Sequence, residues 1–121
     1  MPTNFTSVER IALLNILQSG RQNAIRAEDL ARILRYPTTG NQVKLRKLIA
    51  ECIEVDNDLI GAATGRPAGF FLIANISELE VYLDSLENRI RNDNHRRSSL
   101  LTNWNSRPIS PNTNKHILTI S

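Results

Sequence analysis

Apolar positions from Ser7 onward recur at helical spacing: Val8, Ile11, Leu14, Ile16 and Leu17, with Gly20 where a C-terminal cap belongs. This predicts a first helix that starts at Ser7, whose hydroxyl can accept from first-turn amides; Arg10 makes it only half a capping box. Residues 23–26 are too short and too aperiodic for a helix, and predict one short strand around Ile25. A second helix is expected over residues 27–36. Leu30, Ile33 and Leu34 share one face, Glu28 and Asp29 lie in the first turn where the helix dipole favours anions, and Pro37 is the stop. Thr38-Thr39-Gly40 makes a tight connection, with Thr39 or Asn41 as the next cap.

The third helix, residues 41–55, has the clearest pattern: Val43, Leu45, Leu48, Ile49, Cys52 and Ile53 form a continuous apolar stripe. After Asp56-Asn57-Asp58, two short apolar runs at residues 59–63 and 69–73 flank Thr64-Gly65-Arg66-Pro67-Ala68, which suits a hairpin with a long loop. Beyond Ile73, Ser77 is the expected cap of a long polar helix, with Glu78 and Glu80 just inside it. Ile76, Leu79, Leu83, Leu86 and Ile90 alternate steps of three and four, and the same register continues through Asp93, Arg97, Leu100 and Trp104. The seam is thus apolar, then charged, then apolar again. Either the Asp and Arg pair between two chains, or Asn92-Asp93-Asn94 breaks the helix into two. Residues 106–121, with Pro108, Pro111 and scattered Asn and Thr, read as a flexible tail, and residues 1–6 as a flexible lead-in. The fold class is mainly α with a small β-hairpin (α+β): a domain at residues 7–75, then a helical extension at 76–105 expected to dimerise through Leu79, Leu83, Leu86, Ile90, Leu100 and Trp104.

Composition narrows the function. A chain of 121 residues, 40% hydrophobic and 22% charged, has room for one core and an extension, and no apolar run approaches a bilayer span. The N-terminus shows no basic-then-apolar secretory pattern, so the cytoplasm is the expected location. One cysteine excludes an internal disulfide and a multi-cysteine zinc site, and Cys52 lies on the apolar stripe where a core role is the simpler reading. His95 and His116 both fall in the polar extension, away from the cysteine, so no metal site is expected. Gly61, Gly65 and Gly69 are not followed by Gly-Lys-Ser/Thr, so no nucleotide-phosphate loop is present. Nothing brings an acid, a base and a nucleophile together, and an enzyme with a cofactor is not expected.

The order helix, short strand, helix, Pro-Thr-Thr-Gly turn, helix, hairpin resembles the winged helix-turn-helix domain. It is similar in particular to the small winged-helix proteins of phages and mobile elements. The likeness rests on Val43-Lys44-Leu45-Arg46-Lys47-Leu48-Ile49 running into a hairpin that closes on Gly69-Phe70-Phe71-Leu72-Ile73. Arg26 departs from it, standing where a Ser or Thr usually caps the second helix, a difference of about 1 kcal/mol. The resemblance implies double-stranded DNA as the partner, read by the polar face of the third helix: Gln42 and Lys44 on bases beside Asn41, Thr38, Thr39 and Lys47 on phosphates, Arg46 on the flank, Glu51 further along. Arg66 at the hairpin apex suits a narrow minor groove, and equally a solvated turn. The expected function is sequence-selective DNA binding by a homodimeric transcription regulator, a repressor. The alternatives are a protein-binding winged helix, such as a phage-type inhibitor of a host or defence protein, and an architectural accessory of replication or recombination. A net charge of +3 permits an anionic partner without requiring one.

Overall fold

The computed structural model describes residues 4–108 and 111–119. Positions 1–3, 109–110 and 120–121, parts of the two expected flexible ends, lie outside the described residues. The chain is mainly helical with one small antiparallel sheet: α1 (Ser7–Ile16), a 3-10 turn (Arg21–Asn23), α2 (Ala27–Ile33), α3 (Val43–Glu54), β1 (Ile60–Ala63), β2 (Gly69–Leu72) and α4 (Ile76–Asn105). It divides into two compact units, Met1–Tyr82 and Leu83–Ser121, with the division inside α4.

In the first unit α1 and α2 pack on α3, and the core is built from Leu13, Leu17, Leu30, Ala31, Leu45, Leu48, Ile49, Cys52, Ile60 and Phe71. It reaches back to Phe5, which is buried against the helices with its ring centroid 6.3 Å from that of Tyr36. The core therefore begins before the expected start at Ser7. The cap of α1 is Thr6 rather than Ser7: its hydroxyl accepts from the Glu9 amide while the Glu9 carboxylate accepts from the Thr6 amide, a complete capping box one residue earlier. Leu13 is the fully buried residue of α1, while Val8 and Ile11 face solvent, and the helix ends at Ile16, short of Gly20.

Two helices end on the same backbone device, and only the end of α2 departs from expectation. α2 stops at Ile33, before Pro37, because Arg35 turns into the left-handed region (φ 62°) and the Tyr36 amide reaches back to the Ala31 carbonyl at 2.8 Å. At the end of α3, Asn57 (φ 60°) does the same and the Asp58 amide reaches the Cys52 carbonyl. Arg26 precedes α2 without a side-chain cap bond, as its chemistry implies. Neither Thr39 nor Asn41 caps α3; Gln42, itself left-handed at φ 49°, occupies the cap position without a side-chain bond to the helix.

The hairpin pairs Ile60 with Leu72 and Ala63 with Gly69, leaving a loop of residues 64–68. Ile25 adds the expected extended residue by exchanging two backbone hydrogen bonds with Phe70 (2.9 and 2.8 Å). Gly69 permits this approach: at φ 130° a side-chain carbon there overlaps the Ile25 carbonyl. The hairpin thereby closes over the 3-10 turn and the helical core. α4 begins one residue before Ser77, capped by Asn75, whose Oδ1 accepts from the Glu78 amide at 2.9 Å. It runs without a break through Asn92-Asp93-Asn94, and none of its residues is buried.

Candidate nucleic-acid interface

The wheel of α3 fixes which side chains are free. Leu45, Leu48, Ile49 and Cys52 are buried, so at 100° per residue the opposite face holds Val43, Arg46, Lys47, Ala50 and Glu54, all exposed. Counting Val43 and Ile53 within the apolar stripe rotates the inferred face; Val43 is 58% exposed and Ile53 37%. The correction moves Arg46 from the flank to the open face and takes Glu51 off it.

Glu51 turns inward and is 9% exposed. One of its oxygens accepts from the Asn4 amide, and the other lies 3.9 Å from Arg10 Nη1. Arg10 also donates to Asp56 Oδ2 at 2.6 Å and to the Phe5 carbonyl at 2.8 Å, tying the lead-in, α1 and the end of α3 together. An acid thought to oppose a polyanion is thus neutralised inside.

Lys44 stands at the edge of α3 with its ammonium 4.4 Å from the centre of the Tyr36 ring, a cation–π contact. Tyr36 donates its hydroxyl to Glu9 at 2.8 Å. Burial, then that hydrogen bond, pushes the Tyr36 hydroxyl up to about 12. The same bond and the Thr6 amide hold Glu9 below the usual carboxylate range, with the Lys44 charge as the least contribution. Gln42 is engaged as well: its amide donates to the carbonyls of Thr38 (2.7 Å) and Gly40 (3.0 Å), so it staples the turn ahead of α3. Arg46 donates through Nε to the Asn41 carbonyl at 2.6 Å and lies 5.7 Å from the centre of the Phe70 ring, which joins α3 to the hairpin. Thr38 is half-buried in the same turn, while Thr39 and Asn41 are exposed. Lys47 and Arg66 are exposed and make no ion pair among the described residues.

Sequence reasoning missed one cation. The Arg21 guanidinium lies beside Gly65 in the hairpin loop, close enough that a side-chain carbon on Gly65 would come within 3.2 Å of it. Arg21 therefore stands beside the hairpin loop although 44 positions separate it from Gly65 along the chain, and no local pattern marks it. Its backbone amide donates to Glu78, whose carboxylate also accepts from Ala74 and is held below its usual range by these two bonds.

Cys52 Sγ and the carboxylates of Asp56 and Asp58 come within 4.8 Å of one another, a spacing a metal could use. Their chemistry favours another use. Arg10 already neutralises Asp56, and burial, followed by the charges of Asp58 and Asp56, pushes the Cys52 thiol up to about 11, so it is protonated in neutral water. Burial, then Asp56, raises Asp58 too.

In the second unit, α4 carries the expected dimerisation residues Leu83, Ile90, Leu100 and Trp104 exposed, with Leu86 half-buried; Leu79, in the first unit, is half-buried. Leu100 and Trp104 line an open cleft of about 900 Å³ with Arg97, Leu101, Pro111 and Lys115. The tail forms that wall because Trp104 Nε1 donates to the Pro111 carbonyl (2.8 Å), Arg97 to that of His116 (2.6 Å) and Asn94 to that of Leu118 (3.1 Å). No helix among the described residues is long and apolar enough to cross a membrane. The chain matches no family model, no curated protein and no solved structure.

Proposed function

We propose that residues 7–75 form a winged helix-turn-helix domain that holds double-stranded DNA, with α3 against the major groove and the loop of residues 64–68 as the wing. On this reading the chain is a non-enzymatic regulator of transcription, acting as a homodimer paired through α4. The observation that carries it is the open face of α3, where Arg46 and Lys47 sit in the N-terminal half and Glu51 is turned inside. Arg66 and Arg21 extend the cationic surface along the wing.

Within this reading the residues divide by what binds them already. Lys47, Arg66, Thr39 and Asn41 are exposed and available to a duplex. Arg46 positions α3 against the hairpin while offering its remaining guanidinium donors to phosphate. Gln42 and Thr38 shape the turn, and Lys44 serves phosphate from the edge of the helix.

Electrophoretic shifts on a random-sequence duplex across a salt series test the reading. Affinity is expected to fall steeply with salt, and Lys47→Ala with Arg66→Ala to flatten the dependence by about two phosphate contacts. No shift at micromolar protein would sink it. A second reading is favoured by exposed Val43 and Ala50 interleaved with Arg46 and Lys47. Such a mixed face suits an acidic protein surface, and it predicts binding without duplex.

A further inference from the structure

The positive charge of this chain is not where the resemblance puts it. Residues 1–82 hold nine Lys and Arg against nine Asp and Glu, and so are neutral; residues 83–121 hold six against three, which accounts for the whole net charge of +3. From residue 88 onward the imbalance sharpens: Arg89, Arg91, Arg96, Arg97, Arg107 and Lys115 face a single acid, Asp93.

Along α4 these side chains separate by face. Asn94, Arg97 and Trp104 share the arc that grips the carbonyls of the tail. Roughly a third of a turn away at 100° per residue lie Arg89, Asn92, Arg96, Ser99 and Asn103, repeating at three and four and all exposed. This stripe holds no acid and no apolar residue. Glu87 pairs with Arg91, whereas Arg89 and Arg96 make no ion pair among the described residues. Every member is a donor to phosphate: arginine as a two-pronged cation, Asn and Ser as the neutral donors that accompany it on nucleic-acid backbones. The stripe is about 21 Å long at 1.5 Å per residue, longer than the roughly 12 Å width of a duplex major groove, so it reaches phosphates on both walls.

We infer that this stripe of α4 is a second nucleic-acid surface, which binds the sugar-phosphate backbone of a duplex without reading sequence. It stands independently of α3. Charge complementarity selects an anionic partner, and the Asn and Ser donors interleaved with the arginines favour a nucleic-acid backbone, while the apolar seam of the same helix makes vesicle binding the alternative that the experiment must separate.

Fluorescence anisotropy of the full chain on a labelled random-sequence duplex, over a salt series, tests it. Arg89→Ala with Arg96→Ala is expected to weaken binding ~10-fold at low salt and to reduce the salt slope by about two, while Arg89→Lys with Arg96→Lys keeps the slope. Alanine favours helix, so circular dichroism is expected to show α4 intact. A loss confined to Lys47→Ala with Arg66→Ala overturns the stripe and sustains the α3 face. A loss confined to the α4 pair does the reverse. Unchanged binding in the α4 pair, or capture of the protein by phosphatidylserine vesicles in preference to duplex, overturns the inference; no binding by the parent overturns both.

Discussion

Arg10 is the residue on which several polar groups of the first unit depend, and its role follows from geometry that no local pattern contains. It is 14% exposed at the side chain, touches Asp56, Glu51 and the Phe5 carbonyl, and satisfies charges 46 and 41 positions away. Removing it strands Glu51, one oxygen of which has no hydrogen-bond donor. Arg10→Ala is therefore expected to cost about 2–3 kcal/mol in urea unfolding, and Glu51→Gln distinctly less, since an amide leaves no buried charge. Cys52 gives a pH-dependent counterpart. Its thiol ionises near 9 when unfolded and at about 11 when folded, chiefly through burial. A raised pKa means that the folded state holds the proton more tightly. Its contribution is present below pH 9 and is lost as pH rises from 9 to 11, by an amount on the order of 2 kcal/mol. Denaturation midpoints measured across that window are expected to fall, and Ellman's reagent at pH 8 is expected to label Cys52 only after unfolding. The sequence showed Cys52 as a core residue because a helix period marks it. It showed Glu51 on the wrong side because the partner that holds it inside lies in another helix.

Elements were legible where a period of three to four or a turn signal is strong, and their rims were not. All four helices and the hairpin sit within a few residues of the pattern that predicts them, and the Ile25 segment supplies its extended residue. Positive-φ residues that are not glycine account for part of the displacement at the rims. Arg35 and Gln42 end or open helices from side chains that give no warning, whereas the face assigned to α3 turned on counting the exposed Val43 and Ile53 within its apolar stripe. The hairpin depends on a glycine instead. Gly69→Ala places a methyl against the Ile25 backbone at a φ that alanine resists, so the Ile25–Phe70 bonds must open. The expected cost is at least 2 kcal/mol by thermal or urea unfolding, with faster amide exchange at Ile25 and Phe70. Asn75→Ala, which removes the α4 cap, is expected to cost about 1 kcal/mol, confined to the start of that helix.

Across the whole molecule, α4 presents an energetic problem that points to a partner. It spans 30 residues without burying one of them, and propensity alone rarely sustains such a helix in water. Its C-terminal apolar arc is engaged by the chain's own tail, which leaves Leu83, Leu86 and Ile90 as the contiguous open part of the seam. The phosphate stripe of Arg89 and Arg96 lies on a different face, so pairing through the seam leaves it free and doubles it. On the proposed reading, dimerisation and nucleic-acid affinity rise together, because two linked surfaces bind with avidity that neither has alone. Sedimentation of the parent chain is accordingly expected to show a concentration-dependent dimer. Leu86→Glu with Ile90→Glu is expected to leave a monomer, with reduced helical circular dichroism and a salt slope on duplex near half the parent's. A parent that sediments as a monomer at high micromolar concentration, with α4 still fully helical, removes the seam from the reading and leaves each stripe to act singly.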